Sequence, residues 1–136
     1  MSSPLIRHTA ASVSSPPGYS HAMQAAGLIF VSGQVALDAD GAVVGVGDMG
    51  EQARQTFRNL GAVLTAAGAS FADVVKLTIF VRDIDAIAAI RTARDEFVDT
   101  ANPPASTLVE VSRLVLPDLL VEVEAVAVAP EQILVP

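Results

Sequence analysis

With 136 residues, the chain is long enough to bury a core but short for two domains, so we expect a single domain spanning residues 1–136. It is 51% hydrophobic and 17% charged, yet no apolar run approaches the ~20 residues of a membrane-spanning helix, which argues against a membrane protein. Its net charge of −7, with only eight Lys and Arg, predicts no basic patch, so nucleic acid is not an expected partner.

The rare residue types narrow the chemistry further. The chain has no cysteine, which excludes disulfides and thiolate catalysis and is compatible with a cytoplasmic location. The first twenty residues lack a basic segment followed by a long apolar one, so no secretory signal is predicted. His8 and His21 are too few and too isolated to predict a metal site.

The N-terminal part predicts strands and turns. A short strand is expected near Ile6, followed by a Ser/Pro-rich loop at Ser12–Gly18. Gly27–Leu37 is rich in β-branched and aromatic residues and predicts a strand. Gly33 interrupts that strand, which indicates a bulge or a close backbone approach. After a turn, residues 42–46 predict a short partner strand.

The first helix has clear signals at both ends. Asp48 is a favourable N-cap, with Glu51 three residues on in a capping-box arrangement, and Gly68 is typical of the position after a helix. The residues at helical spacing that predict its buried stripe are Met49, Ala53, Phe57, Leu60, Leu64 and Ala67.

The rest of the chain predicts one more helix among strands. Asp73–Val81 alternates, with Val75 and Leu77 expected on one face, and a second helix is expected over Asp83–Asp99, stopped by a proline pair. Two further strands, STLVEVSRL and LLVEVEAVAVA, complete the order β-β-β-α-β-α-β-β. This order predicts an α+β domain with both helices on one face of a mixed sheet. The other face is left bare and apolar, which suits an oligomer interface.

Several segments together resemble a known family. The segments GYSHAM, FVSGQV, DMGEQARQTFRNLGAVLTAAGASFADVVKLTIFVRDI and VEVEAVAV are similar, in this order, to those of the RidA (YjgF/YER057c/UK114) family, and the resemblance runs from about Tyr19 to Val128. It implies a chorismate-mutase-like fold, a homotrimer and a site in each cleft between subunits. It also implies hydrolysis of small reactive 2-imino and 2-enamino acids to 2-oxo acids and ammonia, without cofactor or metal.

The resemblance also implies roles for particular residues. Tyr19 and Ser32 would line the cleft, and Glu122 would orient or activate water. The family's carboxylate-binding arginine falls on Ser106, and a position that is often cysteine falls on Leu108. This chain therefore lacks the guanidinium fork that is best matched to a carboxylate, at an expected cost of about 2–5 kcal/mol in substrate binding.

Arg91 is the candidate replacement for that arginine, because the resemblance implies that this position of the second helix lies beside the cleft. The alternative is a solvated arginine paired with Asp95 four residues on, worth only about 0.3 kcal/mol. Arg113 matches an arginine outside the binding role, so a structural position at the subunit interface is expected for it.

Glu122 and Glu124 are two residues apart on one strand, so their side chains share a face. Two carboxylates beside an apolar patch are costly unless they are partnered or protonated, and a raised pKa would suit proton transfer. The alternative, which we expect for Glu124, is that a carboxylate meets solvent or an arginine of a neighbouring subunit. Ser32, next to Gly33 in the sequence, would offer its hydroxyl and backbone N–H to a ligand, with a plain bulge as the default interpretation.

Three functions remain to be weighed. The leading hypothesis is a trimeric imine or enamine deaminase whose substrate is altered because Ser106 replaces the arginine. The alternative is a non-catalytic trimer that binds or senses a small ligand. An endoribonuclease, the activity attached to some relatives, is disfavoured by the acidic charge.

Overall fold

Two α-helices lie on one face of a six-stranded mixed sheet in the computed structural model, which describes residues 4–130. The strands are β1 (Ile6–His8), β2 (Ala22–Ala25), β3 (Leu28–Val35), β4 (Val74–Val81), β5 (Ala105–Glu110) and β6 (Val121–Val128), and the helices are α1 (Met49–Ala66) and α2 (Ile87–Asp95). This architecture confirms the predicted α+β class and the placement of both helices.

The sheet has the strand order β1-β2-β3-β6-β4-β5. Every neighbouring pair is antiparallel except β4 and β5, which are parallel. The last strand is therefore inserted at the centre, between β3 and β4, while β5 forms an edge. This arrangement places the VEVEAVAV segment in the middle of the sheet and the Ser106 segment at its rim.

Helix α1 begins and ends as its sequence predicts. The Asp48 carboxylate accepts a hydrogen bond from the Glu51 N–H at 3.1 Å, although the Glu51 side chain turns to Arg54 rather than completing a capping box. At the other end, Gly68 has φ +79° and its N–H donates to Thr65 O, while the Ala69 N–H donates to Leu64 O. These two bonds form a Schellman motif, in which glycine is favoured at the left-handed position.

The core lies between the helices and the sheet. On β6 the odd-numbered residues from Val121 to Ala127 are buried beneath the helices, because successive strand residues point to opposite faces. Phe57 of α1 is fully buried and stacks on Phe97, with the ring centres 5.7 Å apart. The predicted α1 stripe is buried along its whole length.

The opposite face of the sheet is uncovered in the single chain. Phe30 on β3 is 48% exposed and Val128 on β6 is 45% exposed, and both point away from the helices. This agrees with the predicted bare apolar face. Within residues 4–130, none of the helices combines the length and apolar character needed to cross a bilayer.

Three local predictions were wrong. Residues 42–46 form only one isolated bridge, Val43 to Leu37, and the additional strand is instead β2, whose partners flank it on both sides. Val75 is exposed, because a bulge between Val74 and Lys76 brings Val74 to the buried face. The second helix ends at Asp95, four residues before the predicted end, and its first turn, Ile84–Ala86, is a 3-10 helix.

Candidate functional site

Gly33 and Glu122 are in direct contact across the centre of the sheet. Between Val31 and Gln34, strand β3 has one residue more than the segment of β6 with which it pairs. The extra residue forms a bulge at Ser32 and Gly33. A Cβ on Gly33 would lie 2.7 Å from both Cδ and Oε2 of Glu122, closer than such atoms approach. The glycine is therefore both a bulge and a close approach, and it makes room for the carboxylate.

The environment of Glu122 disfavours its charge. Burial raises the pKa of the Glu122 carboxyl above its ordinary value, and the neighbouring Glu124 carboxylate raises it further. No hydrogen bond within the described residues engages the Glu122 carboxyl, so the group is free to exchange a proton with a ligand or water on the bare face.

Tyr19 lies near this pair, on the loop before β2. Its side chain is 55% exposed, and together with Gly33 it lines a crevice of about 30 Å³, which has room for one or two water molecules. A histidine holds this loop: His21 Nδ1 accepts the Ala10 N–H at 3.0 Å, so Nε2 carries the proton and donates to Ser14 O at 2.9 Å. His21 thus has a structural role.

Ser32 is committed to the same loop. Its hydroxyl donates to Ser20 O at 2.6 Å, and its N–H donates to His21 O at 2.9 Å. Both donors are therefore used internally, and the Ser32 oxygen is left only as an acceptor for a ligand. Tyr19, Ser32, Gly33 and Glu122 together are called the central group below.

Ser106 lies at the rim of the sheet, on the other face. It pairs with Leu77 of β4, a fully buried residue, so Ser106 points to the helix side, whereas Glu122 pairs with Phe80 on the bare side. Strand β4 separates the two strands, which places β5 and β6 about 10 Å apart. Leu108, two residues on, is half-buried and packs against the core.

The structure places Arg91 in solvent. Its side chain lies on α2, is exposed, and within residues 4–130 is in neither an ion pair nor the lining of a described cavity. The expected partner, Asp95, binds Arg94 instead, at 2.9 Å. The assignment of Arg91 to substrate stays a prediction.

A second arginine, which the sequence analysis did not select, lies at the Ser106 rim. Arg94 and Ser106 line the same cavity of about 340 Å³, between the end of α2 and the edge strand. The cavity exists because α2 stops at Asp95 and the following segment, residues 98–104, folds back past Arg94. The sequence analysis did not select Arg94 because it did not predict this early helix end. In the sequence, only the proline pair indicated it. Arg94, Asp95 and Ser106 are called the rim group below.

Arg113 also lines a cavity. With Arg82 it borders a space of about 420 Å³ near the loop before β6, and the Arg82 guanidinium donates to Pro117 O at 2.8 Å. The expected position at a subunit interface stays a prediction. Across the described part of the chain, no group of three metal-binding side chains occurs.

Comparisons with known proteins agree with this fold. The model of the endoribonuclease L-PSP family matches residues 9–129. A RutC family protein of Synechocystis is 42% identical over 113 residues, covering 82% of this chain and 86% of the relative. A Salmonella typhimurium protein named 2-iminobutanoate/2-iminopropanoate deaminase is 37% identical over 103 residues, covering 74% and 79%.

A solved structure of a similar protein has the same fold. The yeast protein YEO7 superposes with a TM-score of 0.87 at 32% identity, covering 93% of this chain and all of that one. The similarity thus extends over the sheet, both helices and the segments that carry the central and rim groups.

Proposed function

The chain belongs to the endoribonuclease L-PSP family, which includes the RidA and RutC proteins, and we propose that it is a hydrolytic deaminase of small reactive imines. The observation that carries the proposal is the Glu122 carboxyl, half-buried, with its pKa raised and with space kept open for it by Gly33. Relatives named as 2-imino acid deaminases support the same reaction class.

The reaction requires one group that takes up and returns a proton. As water attacks the carbon of the protonated imine, the Glu122 carboxylate accepts the water proton, and the new C–O bond gives a neutral tetrahedral carbinolamine. Glu122 then returns that proton to the amino nitrogen, the C–N bond breaks and ammonia leaves, while the carbinolamine hydroxyl gives its proton to the Glu122 carboxylate as the C=O bond forms. Hydrolysis consumes only water, so this chemistry calls for no cofactor. A raised pKa makes the Glu122 carboxyl a stronger base than an ordinary carboxylate, which suits it to take up the proton that it later returns.

We place the reaction between subunits of a homotrimer. The central and rim groups lie on opposite faces of one sheet, so a single chain does not present both to one small molecule. The bare face, with Phe30 and Val128 half exposed, is a suitable surface for a neighbouring copy. A neighbour whose rim contacts this face would bring its Ser106 towards Glu122. The cytoplasmic location remains part of this proposal.

The test uses 2-aminoacrylate, the enamine tautomer of 2-iminopropanoate, generated by a pyridoxal-phosphate dehydratase acting on serine. We expect the protein to accelerate pyruvate release, and Glu122→Ala to reduce that acceleration by about 100-fold or more. Glu124→Ala, on the same strand and face, is the matched control and should retain most of the activity. No acceleration with the wild-type protein would favour the alternative, a trimer that binds a small ligand without chemistry.

The name of the family also suggests endoribonuclease activity. A net charge of −7 and eight basic residues leave little to neutralise an RNA backbone. We therefore do not favour it, and salt-dependent RNA binding at physiological ionic strength would reverse that judgement.

A further inference from the structure

We propose that in this chain Arg94 binds the substrate carboxylate, in place of the arginine that the family has at the position of Ser106. This inference rests on the proposed function, because it names a binding residue of the same site. Arg94 takes the binding role at the rim where Ser106 offers only a hydroxyl.

The cavity beside Ser106 has room for a small organic acid. Its volume of about 340 Å³ lies at the lower end of the range for ligand pockets. One cation, one carboxylate and two hydroxyls are arranged around an apolar floor. The lining residues are Leu77, Arg94, Asp95, Val98, Thr100, Pro103, Pro104 and Ser106.

The Arg94 guanidinium is held in place with one binding edge left open. Asp95 Oδ1 accepts a hydrogen bond from Nε of Arg94 at 2.9 Å and forms an ion pair with Nη2, also at 2.9 Å, so it occupies the Nε–Nη2 edge. No hydrogen bond within residues 4–130 uses Nη1 of Arg94. The Nη1–Nη2 edge thus presents the parallel N–H pair that binds a carboxylate bidentately, and the Asp95 contact fixes its orientation beforehand.

The charges match those of the substrate class. A protonated 2-imino acid carries a negative carboxylate beside a positive iminium nitrogen, and the cavity offers Arg94 and Asp95 side by side. The Ser106 hydroxyl makes no hydrogen bond within the described residues and is available to the same carboxylate. Pro103 and Pro104 provide an apolar surface for a short alkyl group.

The other nearby cations are placed less well. Lys76 projects to the opposite sheet face, where its ammonium donates to Thr107 Oγ1 at 2.6 Å. Arg91 is exposed and lies outside the cavity lining. Arg94 is thus the cation that lines the Ser106 cavity in the described structure.

A binding measurement tests this inference without turnover. The probes are 2-oxobutanoate, which is a stable analogue with the free carboxylate, and its methyl ester, titrated by calorimetry against the full chain. We expect the wild-type protein to prefer the acid, and Arg94→Gln to weaken acid binding by about tenfold to 100-fold while leaving ester binding unchanged. Arg94→Lys, which keeps the charge without the fork, should lie between them.

The control is Arg58→Gln, which removes an exposed arginine of α1 whose side chain donates to Gln55 Oε1 at 3.2 Å. It should bind both probes as the wild-type protein does. Equal acid binding by Arg94→Gln and wild type, no preference of the wild type for the acid, or an equal loss in Arg58→Gln would each overturn the inference. Failure of the deaminase assay with Arg94-dependent acid binding intact would refute the proposed function alone, whereas full activity of Arg94→Gln would refute only the role of Arg94.

Discussion

At the scale of single residues, the absence of a side chain at Gly33 determines where the Glu122 carboxyl can lie. The obstacle to a Cβ at Gly33 is the end of a flexible side chain, so the carboxyl would move and the strand would stay. We expect Gly33→Ala to change the free energy of unfolding by less than about 1 kcal/mol. It should lower kcat for imine hydrolysis by about tenfold to 100-fold, because a displaced proton-transfer group loses its alignment.

Gly50→Ala is the matched control for that change. Gly50 lies in the first turn of α1, and the nearest atom to an added Cβ is 3.6 Å away, which is an ordinary contact. Urea denaturation and steady-state kinetics of both variants check the prediction. Unchanged kcat in Gly33→Ala would mean that the Glu122 carboxyl position does not matter.

The raised pKa of Glu122 predicts a pH dependence of stability. Because the folded state holds the proton more tightly than the unfolded state, the wild-type protein loses stability as the pH rises from about 4.5 through the folded pKa. Glu122→Gln stays neutral and avoids that loss. We expect the variant to gain stability relative to wild type between pH 4 and pH 8, measured by urea denaturation. A stability difference that does not change with pH would contradict the raised pKa.

At the scale of elements, the site depends on side chains of α1 that hold loops. The Gln52 amide is fully buried and donates to Asp118 O at 2.7 Å and to Gly45 O at 3.2 Å, and its oxygen accepts from the Leu120 N–H at 2.8 Å. These bonds fix the start of β6, the strand that carries Glu122.

Gln52→Leu should therefore destabilise the protein by about 2–4 kcal/mol, since it leaves buried backbone groups unpaired. Thr65→Ala, at an exposed position of the same helix, should change stability by less than about 0.5 kcal/mol. Urea denaturation at fixed protein concentration measures both. A Gln52→Leu variant as stable as wild type would show that the loop is held by other contacts.

The elements also show what the sequence could and could not predict. Helix α1 was predictable because its cap, stripe and terminal glycine agree with one another. Strand β2 was missed because it has only four residues and is held in the sheet by pairing with two neighbouring strands. The local sequence does not reveal that pairing. Residues 42–46 had the composition of a strand but found no partner beyond one bridge.

The site was predictable to a similar degree. Glu122 and Gly33 were identified from the resemblance and from the break in a strand pattern, and the structure brings them into contact. Arg94 was not identified, because its importance depends on where α2 ends. On α2, apolar residues at helical spacing continue as far as Phe97, beyond the last residue of the helix. The spacing alone therefore indicated a longer helix. The resemblance selected Arg91, which in the single chain is exposed and lies outside the lining of the Ser106 cavity, and its role stays a prediction.

At the scale of the whole molecule, the uncovered sheet face predicts assembly. We expect a mass in solution of three chains, measured by light scattering after size exclusion. Phe30→Glu places a charge on this face and should lower the measured mass, because burying an unpaired carboxylate is costly. Val46→Glu, at a position that is 64% exposed in the loop before α1, is the control and should remain trimeric. A wild-type monomer would remove the basis for a composite site.

Mixing two inactive variants tests the composite site most directly. Glu122→Gln disables the central group, and Ser106→Trp fills the rim cavity, so each variant alone should be inactive towards 2-aminoacrylate. If every site takes its central group from one chain and its rim group from a neighbour, trimers formed from equal amounts of both chains should regain about a quarter of the wild-type sites. Doubly tagged mixed trimers that are as inactive as either parent would contradict a site shared between subunits.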